Sequence, residues 1–164
     1  MTDRLQTAGW GNHEMRTLFM LAVLLLLASP RCSVNGPDTI GSYTIVHGTS
    51  FGMCAGYCRS ELAIDGTTAT LTQVGWDSIR HPRKTRTLQL TEAESRRLQQ
   101  LANVNDLSRV EGVHGCPDCA DGGAEWVAIQ LPDRTIQATY EYQSDLEPIA
   151  ELQEQLRAVR QRFQ

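Results

Sequence analysis

The run Leu18-Phe19-Met20-Leu21-Ala22-Val23-Leu24-Leu25-Leu26-Leu27-Ala28 has no polar interruption. It offers neither the 3.6-residue stripe of an amphipathic helix nor the alternation of a half-buried strand, so it does not belong to the surface layer of a small domain. It is short of the ~20 apolar residues a membrane-spanning helix needs, and Arg16 and Arg31 bracket it. A positive charge, a short apolar run and a close at Ser29-Pro30 form the layout of a secretory signal. The expectation is a signal segment over 1–31, with Met15 as an alternative start, a leader over 32–39 and one folded domain over 40–164. Such a protein is exported to the periplasm or the outer face of the cell envelope.

Cys32 stands where a bacterial lipoprotein carries its lipidated cysteine, yet Arg31 beside it departs from the Leu-x-small-Cys pattern. A lipid on Cys32, simple secretion and a retained N-terminal anchor therefore all stay open, and the only expected membrane contact is through the signal segment or that lipid. About 130 residues remain for the domain, enough for a core without dependence on cross-links. Loss of residues 1–31 removes Arg4, Arg16, Arg31, Asp3 and Glu14, leaving 12 basic and 17 acidic residues. That balance argues against nucleic acid, and the basic stretch Arg80 to Arg86 reads as a solvated turn.

Four cysteines fall in the domain as Cys54-x3-Cys58 and Cys116-x2-Cys119. In an oxidising compartment an even set reads as two disulfides, with three connectivities available. An extended Cys54 to Cys58 segment would span ~13 Å against the ~7 Å limit for a bridge, so local pairing needs a turn, which Ala55-Gly56 could supply. Pairing between the clusters would constrain the unfolded chain more, by about 4 kcal/mol per bridge against about 2 for a local one. Both arrangements stay open.

The pattern along the domain predicts α+β: one antiparallel sheet from two hairpins, with two helices packed on one face. Ile40 to His47 reads as an opening strand. Leu62-Ala63-Ile64, the turn Asp65-Gly66 and Thr67 to Val74 form the first hairpin, with Ser60, Leu62 and Ile64 facing one way. After a loop from Gly75 to Lys84, Thr91-x-x-Glu94 marks a helix start by a capping box, and the helix runs to about Asn103. Asn105 to Gly123 reads as a long loop. Glu125 to Leu131, a turn at Pro132-Asp133-Arg134, and Thr135 to Tyr142 form the second hairpin, one face of its first strand well buried. A final helix spans Leu146 to Phe163, with Leu146, Ile149, Leu152, Leu156, Val159 and Phe163 inward. Glu147, Glu151, Glu154, Arg157 and Arg160 then form a solvated face.

Ser50-Phe51-Gly52-Met53-Cys54-Ala55-Gly56-Tyr57 resembles the mark of an uncharacterised family of bacterial envelope proteins and lipoproteins, Cys-Phe-Gly-x-Cys-Pro-x-Tyr. Phe51, Gly52, Cys54 and Tyr57 match, and the following hairpin, a later Cys-rich loop, a strand pair and a C-terminal helix extend the likeness over about Ser42 to Arg162. Ser50 replaces the family's first cysteine, Ala55 its proline, and Cys58 is additional. If the family's two motif cysteines pair, Cys54 here must find Cys58 or a member of the Cys116 cluster. The resemblance implies no activity.

Chemistry is sparse. Cys116-Pro117-Asp118-Cys119 has the spacing of a thiol redox motif, but the helix whose N-terminus would lower the first thiol's pKa is missing after it. Cys54, Cys58, Cys116 and Cys119 could alternatively make a four-thiolate zinc site, which an oxidising compartment disfavours. His47, His81 and His114 lack a serine or carboxylate partner in sequence and read as surface histidines. Asp118 and Asp121 lack the spacing of a calcium loop and read as loop caps. Trp76 and Trp126 read as core or rim packing. The expectation is a non-enzymatic binding or structural module with no catalytic residue and no cofactor, meeting an envelope partner or wall component through the sheet face or the Gly75 to Lys84 loop.

Overall fold

The computed structural model describes residues 43–164. The signal segment, the leader, Cys32 and the first residues of the expected opening strand lie outside the described residues. The chain forms strands β1 (Thr44–Ser50), β2 (Arg59–Asp65), β3 (Thr68–Val74) and β4 (Lys84–Gln89), then helices α1 (Glu92–Leu101) and α2 (Val104–Arg109). Strands β5 (Gly112–Val113), β6 (Ala124–Gln130) and β7 (Thr135–Glu141) follow, and helix α3 (Ala150–Gln161) closes the described chain. The fold is α+β, with a single seven-stranded mixed sheet in the order β4-β3-β2-β1-β6-β7-β5.

Five of the six pairings are antiparallel and β5 joins β7 in parallel, so the sheet is not wholly antiparallel as the two-hairpin pattern implied. The extra strands come from segments with weak local signals. Lys84–Gln89 carries only Leu88 as an aliphatic residue and still pairs along β3 from Gln73↔Lys84 to Thr68↔Gln89. Gly112–Val113 and the short helix α2 occupy part of the segment expected as loop.

The first hairpin turns one residue later than its Asp-Gly pair suggested. Asp65 pairs with Thr68, leaving Gly66 and Thr67 as the central residues. Gly66 has φ +56° and Thr67 does not share the left-handed conformation. A glycine alone at the first central position is the requirement of a type II′ turn, which suits the twist of the flanking strands. The second hairpin closes through the Leu131 N–H donating to the Arg134 carbonyl at 2.8 Å. Thr91 caps α1 with the reciprocal box expected from sequence: its hydroxyl accepts from the Glu94 N–H, and the Glu94 carboxylate accepts from the Thr91 N–H at 2.7 Å.

Pairing places Ile45 beside Ile64 and Ile129, His47 beside Leu62 and Val127, and Thr49 beside Ser60 and Glu125. Directly opposed residues share a face, so one face of the central strands begins apolar and ends polar. The apolar part joins Leu98, Leu107, Ile149, Leu152, Leu156, Val159 and Phe163 of the helical segments in one core. Strand β6 is buried on both faces rather than one: Val127 and Ile129 face the core, and Trp126 and Ala128, with Val46 of β1, are buried on the opposite face. Trp126 lies against Gly48, where an added Cβ would fall 1.8 Å from its ring. The Arg59 guanidinium stacks over the same ring at 4.4 Å. The last helix begins as a 3₁₀ turn at Glu147–Ile149, with Pro148 at its start, before α3 proper.

Candidate functional site

The polar end of the core face gathers four residues from three elements. His47 on β1 is 0% exposed and Glu125 on β6 is 1% exposed. From α3, Arg157 and Arg160 reach down to them. From sequence His47 reads as a surface histidine and Arg157 and Arg160 as part of a solvated helix face, and for these three the structure overturns the expectation. Glu125 lies in its expected strand, and Glu147, Glu151 and Glu154 are exposed as expected. Arg157 lies one position after the core residue Leu156, and Arg160 one after Val159, so both flank the inward stripe of the helix. Their long side chains turn under it because the sheet end below carries the acceptors.

The hydrogen bonds fix the ionisation. Arg160 Nε donates to His47 Nδ1 at 3.2 Å. That nitrogen is therefore an acceptor, and the proton sits on Nε2, which donates to Glu125 Oε1 at 2.7 Å. Burial, together with the charges of Arg160 and Arg157, holds His47 below its ordinary pKa despite the Glu125 bond. Burial would raise the Glu125 carboxyl, but bonds from His47, from Arg157 Nε at 2.8 Å and from the Gln143 N–H at 3.0 Å outweigh it and bring it to about 2. Tyr140, 0% exposed, directs its hydroxyl at the same carboxylate, and burial pushes its pKa up. Arg157 also bonds Asp145 at 2.7 Å and the Ser144 carbonyl at 2.8 Å. The buried Gln153 holds that loop by accepting from the Leu146 N–H and donating to the Ser144 carbonyl.

Arg160 differs from Arg157. Its Nη1 donates to Ser60 Oγ at 2.7 Å and to Thr49 Oγ1, and its Nη2 to the carbonyls of His47 and Ser60. Among the described residues it makes no ion pair. Its hydrogen bonds go to neutral acceptors, and burial, only partly offset by the nearby Glu125 charge, lowers its pKa from the usual arginine value.

The pH response follows from these directions. A histidine whose folded pKa lies below its unfolded one supports the fold above the unfolded value, ~6.5, and loses that support as pH falls toward the folded value. Glu125, depressed to about 2, has the same sign one range lower. Stability is therefore expected to fall in two stages on acidification, beginning near pH 6.5. Urea denaturation at half-unit steps from pH 8 to 4 measures this, and a profile flat from pH 7 to 5 would contradict it.

The cysteines pair locally, which resolves the open connectivity. Cys54 bonds Cys58 and Cys116 bonds Cys119, each with Cα atoms 5.4 Å apart. The first closes the loop between β1 and β2, where the Phe51 N–H also donates to the Cys58 carbonyl at 3.0 Å. The two loops meet where Asp118 Oδ1 accepts from the Gly52 N–H at 3.1 Å, and Phe51 of the first loop also packs edge-to-face on Tyr142, just after β7, with centroids 4.9 Å apart. Asp118 thus caps a neighbouring loop. Paired as disulfides, the thiols are not four thiolates for zinc, and among the described residues no three His, Cys, Asp or Glu side chains gather as a metal site.

A 3₁₀ turn, Cys119–Asp121, follows Cys116 where a redox enzyme would have a helix. Each bridge closes a loop of only four or five residues, so removing one, as in Cys116→Ser with Cys119→Ser, is expected to cost about 2 kcal/mol by chain entropy. The urea midpoint measures it, and a loss above about 4 kcal/mol would show that the bridge braces more than its own loop.

The remaining expected residues scatter. His81 packs on the Tyr57 ring at 5.6 Å, and His114 Nε2 bonds the Val110 carbonyl at 2.7 Å, so neither is a freely solvated side chain. Trp76 is 67% exposed, with its indole N–H donating to the Gly52 carbonyl, whereas Trp126 is buried. Arg86, read as part of a solvated turn, sits in β4 opposite Leu71 and so faces the core side. No helix among the described residues is long and apolar enough to cross a membrane. The chain matches no protein-family model and no curated protein.

Proposed function

We propose that this chain is a non-enzymatic binding domain of the bacterial cell envelope, exported by its first 31 residues, braced by two local disulfides and akin to the Cys-Phe-Gly-x-Cys-Pro-x-Tyr proteins it resembles. Its architecture is a sheet built around the two hairpins, with α1 and α3 on one face. Every strand residue in the core cluster lies on that face, which supports this layering. The observation that carries the non-enzymatic reading is the engagement of His47. Both its ring nitrogens are committed to Arg160 and Glu125, so it is not free to take a proton from a nucleophile. Ser60, one of the nearby hydroxyls, accepts from Arg160, and among the described residues no histidine or carboxylate is hydrogen-bonded to it.

The disulfides favour an oxidising compartment. Mass spectrometry of the protein taken from the cell envelope, without reductant, is the direct test. The expected spectrum has the 54–58 and 116–119 bridges and a chain beginning near Cys32, and an added diacylglyceryl mass there would identify a lipid anchor. A cytoplasmic, full-length chain with reduced cysteines overturns the reading. An insulin-reduction assay tests the redox alternative: no turnover is expected, and sustained turnover lost in Cys116→Ser would overturn the non-enzymatic proposal.

A further inference from the structure

Beside the buried network lies a cavity of about 310 Å³, bounded by β1, β2, β3, β4 and the end of α3. That size is at the lower end of small-molecule sites. Two walls differ in chemistry. Leu71 and Phe163 make an apolar side, while Arg86, Arg160 and Tyr142 contribute polar groups. The carboxylate in the lining, Glu125, is spent on His47, Arg157 and the Gln143 N–H. Arg160 brings a positive charge whose direct hydrogen bonds all go to neutral acceptors, with the Glu125 carboxylate acting on it only through His47 and at a distance. Arg86 brings a second, its guanidinium stacked 5.7 Å from the Phe163 ring. The Nε of Arg86 is buried without a hydrogen-bond partner. Among the described residues Arg86 makes no ion pair.

A buried guanidinium nitrogen without an acceptor is costly, as at Arg86, and a second cation on the same cavity, the hydrogen-bonded Arg160, adds to that cost. An anion entering the cavity would relieve both.

We propose that this cavity binds a small organic anion, its carboxylate accepting hydrogen bonds from Arg86 and its apolar body lying against Leu71 and Phe163, with Arg160 supplying charge from behind. Arg160 already spends its N–H groups on His47, Ser60 and Thr49, so it acts on the ligand through its field. Arg86 is the residue that recognises the oxyanion, because its fork is the one with donors to spare. The proposal rests on the binding-module reading and names the ligand class for it.

Titration of the oxidised, mature domain with benzoate, followed by amide chemical shifts, is the test, with benzamide as the neutral isostere and inorganic phosphate as the bare oxyanion. Saturable benzoate binding is expected, with shifts centred on Leu71, Arg86 and Phe163. It should weaken at least about tenfold in Arg86→Gln, since a hydrogen bond to a charged partner is worth that much. Arg86→Lys should recover part of it, and the Arg86→Gln spectrum away from the cavity should match the parent. Benzamide binding as tightly as benzoate, benzoate binding unchanged in Arg86→Gln, or no saturation by benzoate at tens of millimolar overturns the proposal. So does phosphate binding without benzoate binding. A failed titration leaves the disulfides, the mature N-terminus and the insulin assay as they were, so it is distinguishable from failure of the envelope reading.

Discussion

Glu125→Gln should cost the domain about 3 to 5 kcal/mol at neutral pH, a large part of the stability available to a chain of this size. Glutamine keeps the shape but removes the only negative charge buried in the network. Arg157, whose side chain is 25% exposed, loses its 2.8 Å partner, and His47 donates to a neutral oxygen. Arg157 is then left with Asp145, 61% exposed, as its ion-pair partner, and Arg160 loses the nearby Glu125 charge that partly offset its burial. Linkage gives a similar size: a carboxyl brought from 4.5 to about 2 contributes roughly 3 kcal/mol when ionised. That contribution is present above the unfolded pKa and fades as pH falls toward 2. The gap between parent and variant should therefore be widest near pH 7 and narrow steadily below about pH 4.5. Urea denaturation of both proteins measures it, and a difference under about 1 kcal/mol at pH 7 would mean that the network is poorly coupled to folding.

The second large effect is apolar. Leu156 is 0% exposed and belongs to the core beneath the sheet. Leu156→Ala removes its buried methyl groups and leaves a cavity that neighbours held by the sheet cannot close, at an expected cost of about 2 to 5 kcal/mol. Leu156→Met, which nearly preserves volume, should cost less than about 1.5 kcal/mol. If the two variants unfold at the same urea concentration, the helix is not packed as described.

The elements legible in the sequence were those specified within a few residues. Gly66 announced a turn, Thr91 and Glu94 a helix start, and the three- and four-residue steps from Ile149 to Phe163 a buried stripe. Strand β4 was not legible, because its order comes from pairing with β3 and its own side chains are mostly polar. The network failed for a different reason. Its contacts join residues 78 and 113 positions apart, and each member looks ordinary among its neighbours. A weak signal was nevertheless present. His47 continues the alternation that begins at Ile45, and Glu125 precedes Val127 and Ile129 by the same step, so both occupy positions that the period reserves for the core. The cysteine pairing was undecidable from spacing, since only the fold shows that the Cys54 and Cys116 loops touch through Asp118 and Gly52 rather than through sulfur.

The strand order has one more consequence, for how the molecule meets copies of itself. A sheet is terminated by whichever strands lack a second neighbour, and their unpaired amide and carbonyl rows are templates for another chain. Among the described residues these are β4 and β5. Strand β5 is two residues long and covers only Ala138 and Thr139 of β7, so the rest of β7's outer row also lacks a strand partner among the described residues. Strand β4 is longer, but it opens with Lys84 and turns Arg86 inward, and both are devices that discourage the seven-stranded sheet from acquiring an eighth strand at this border. The same arginine that leaves a cation facing the cavity thus also guards the rim of the sheet. The β4 border is therefore expected to resist strand addition better than a flat, apolar one would.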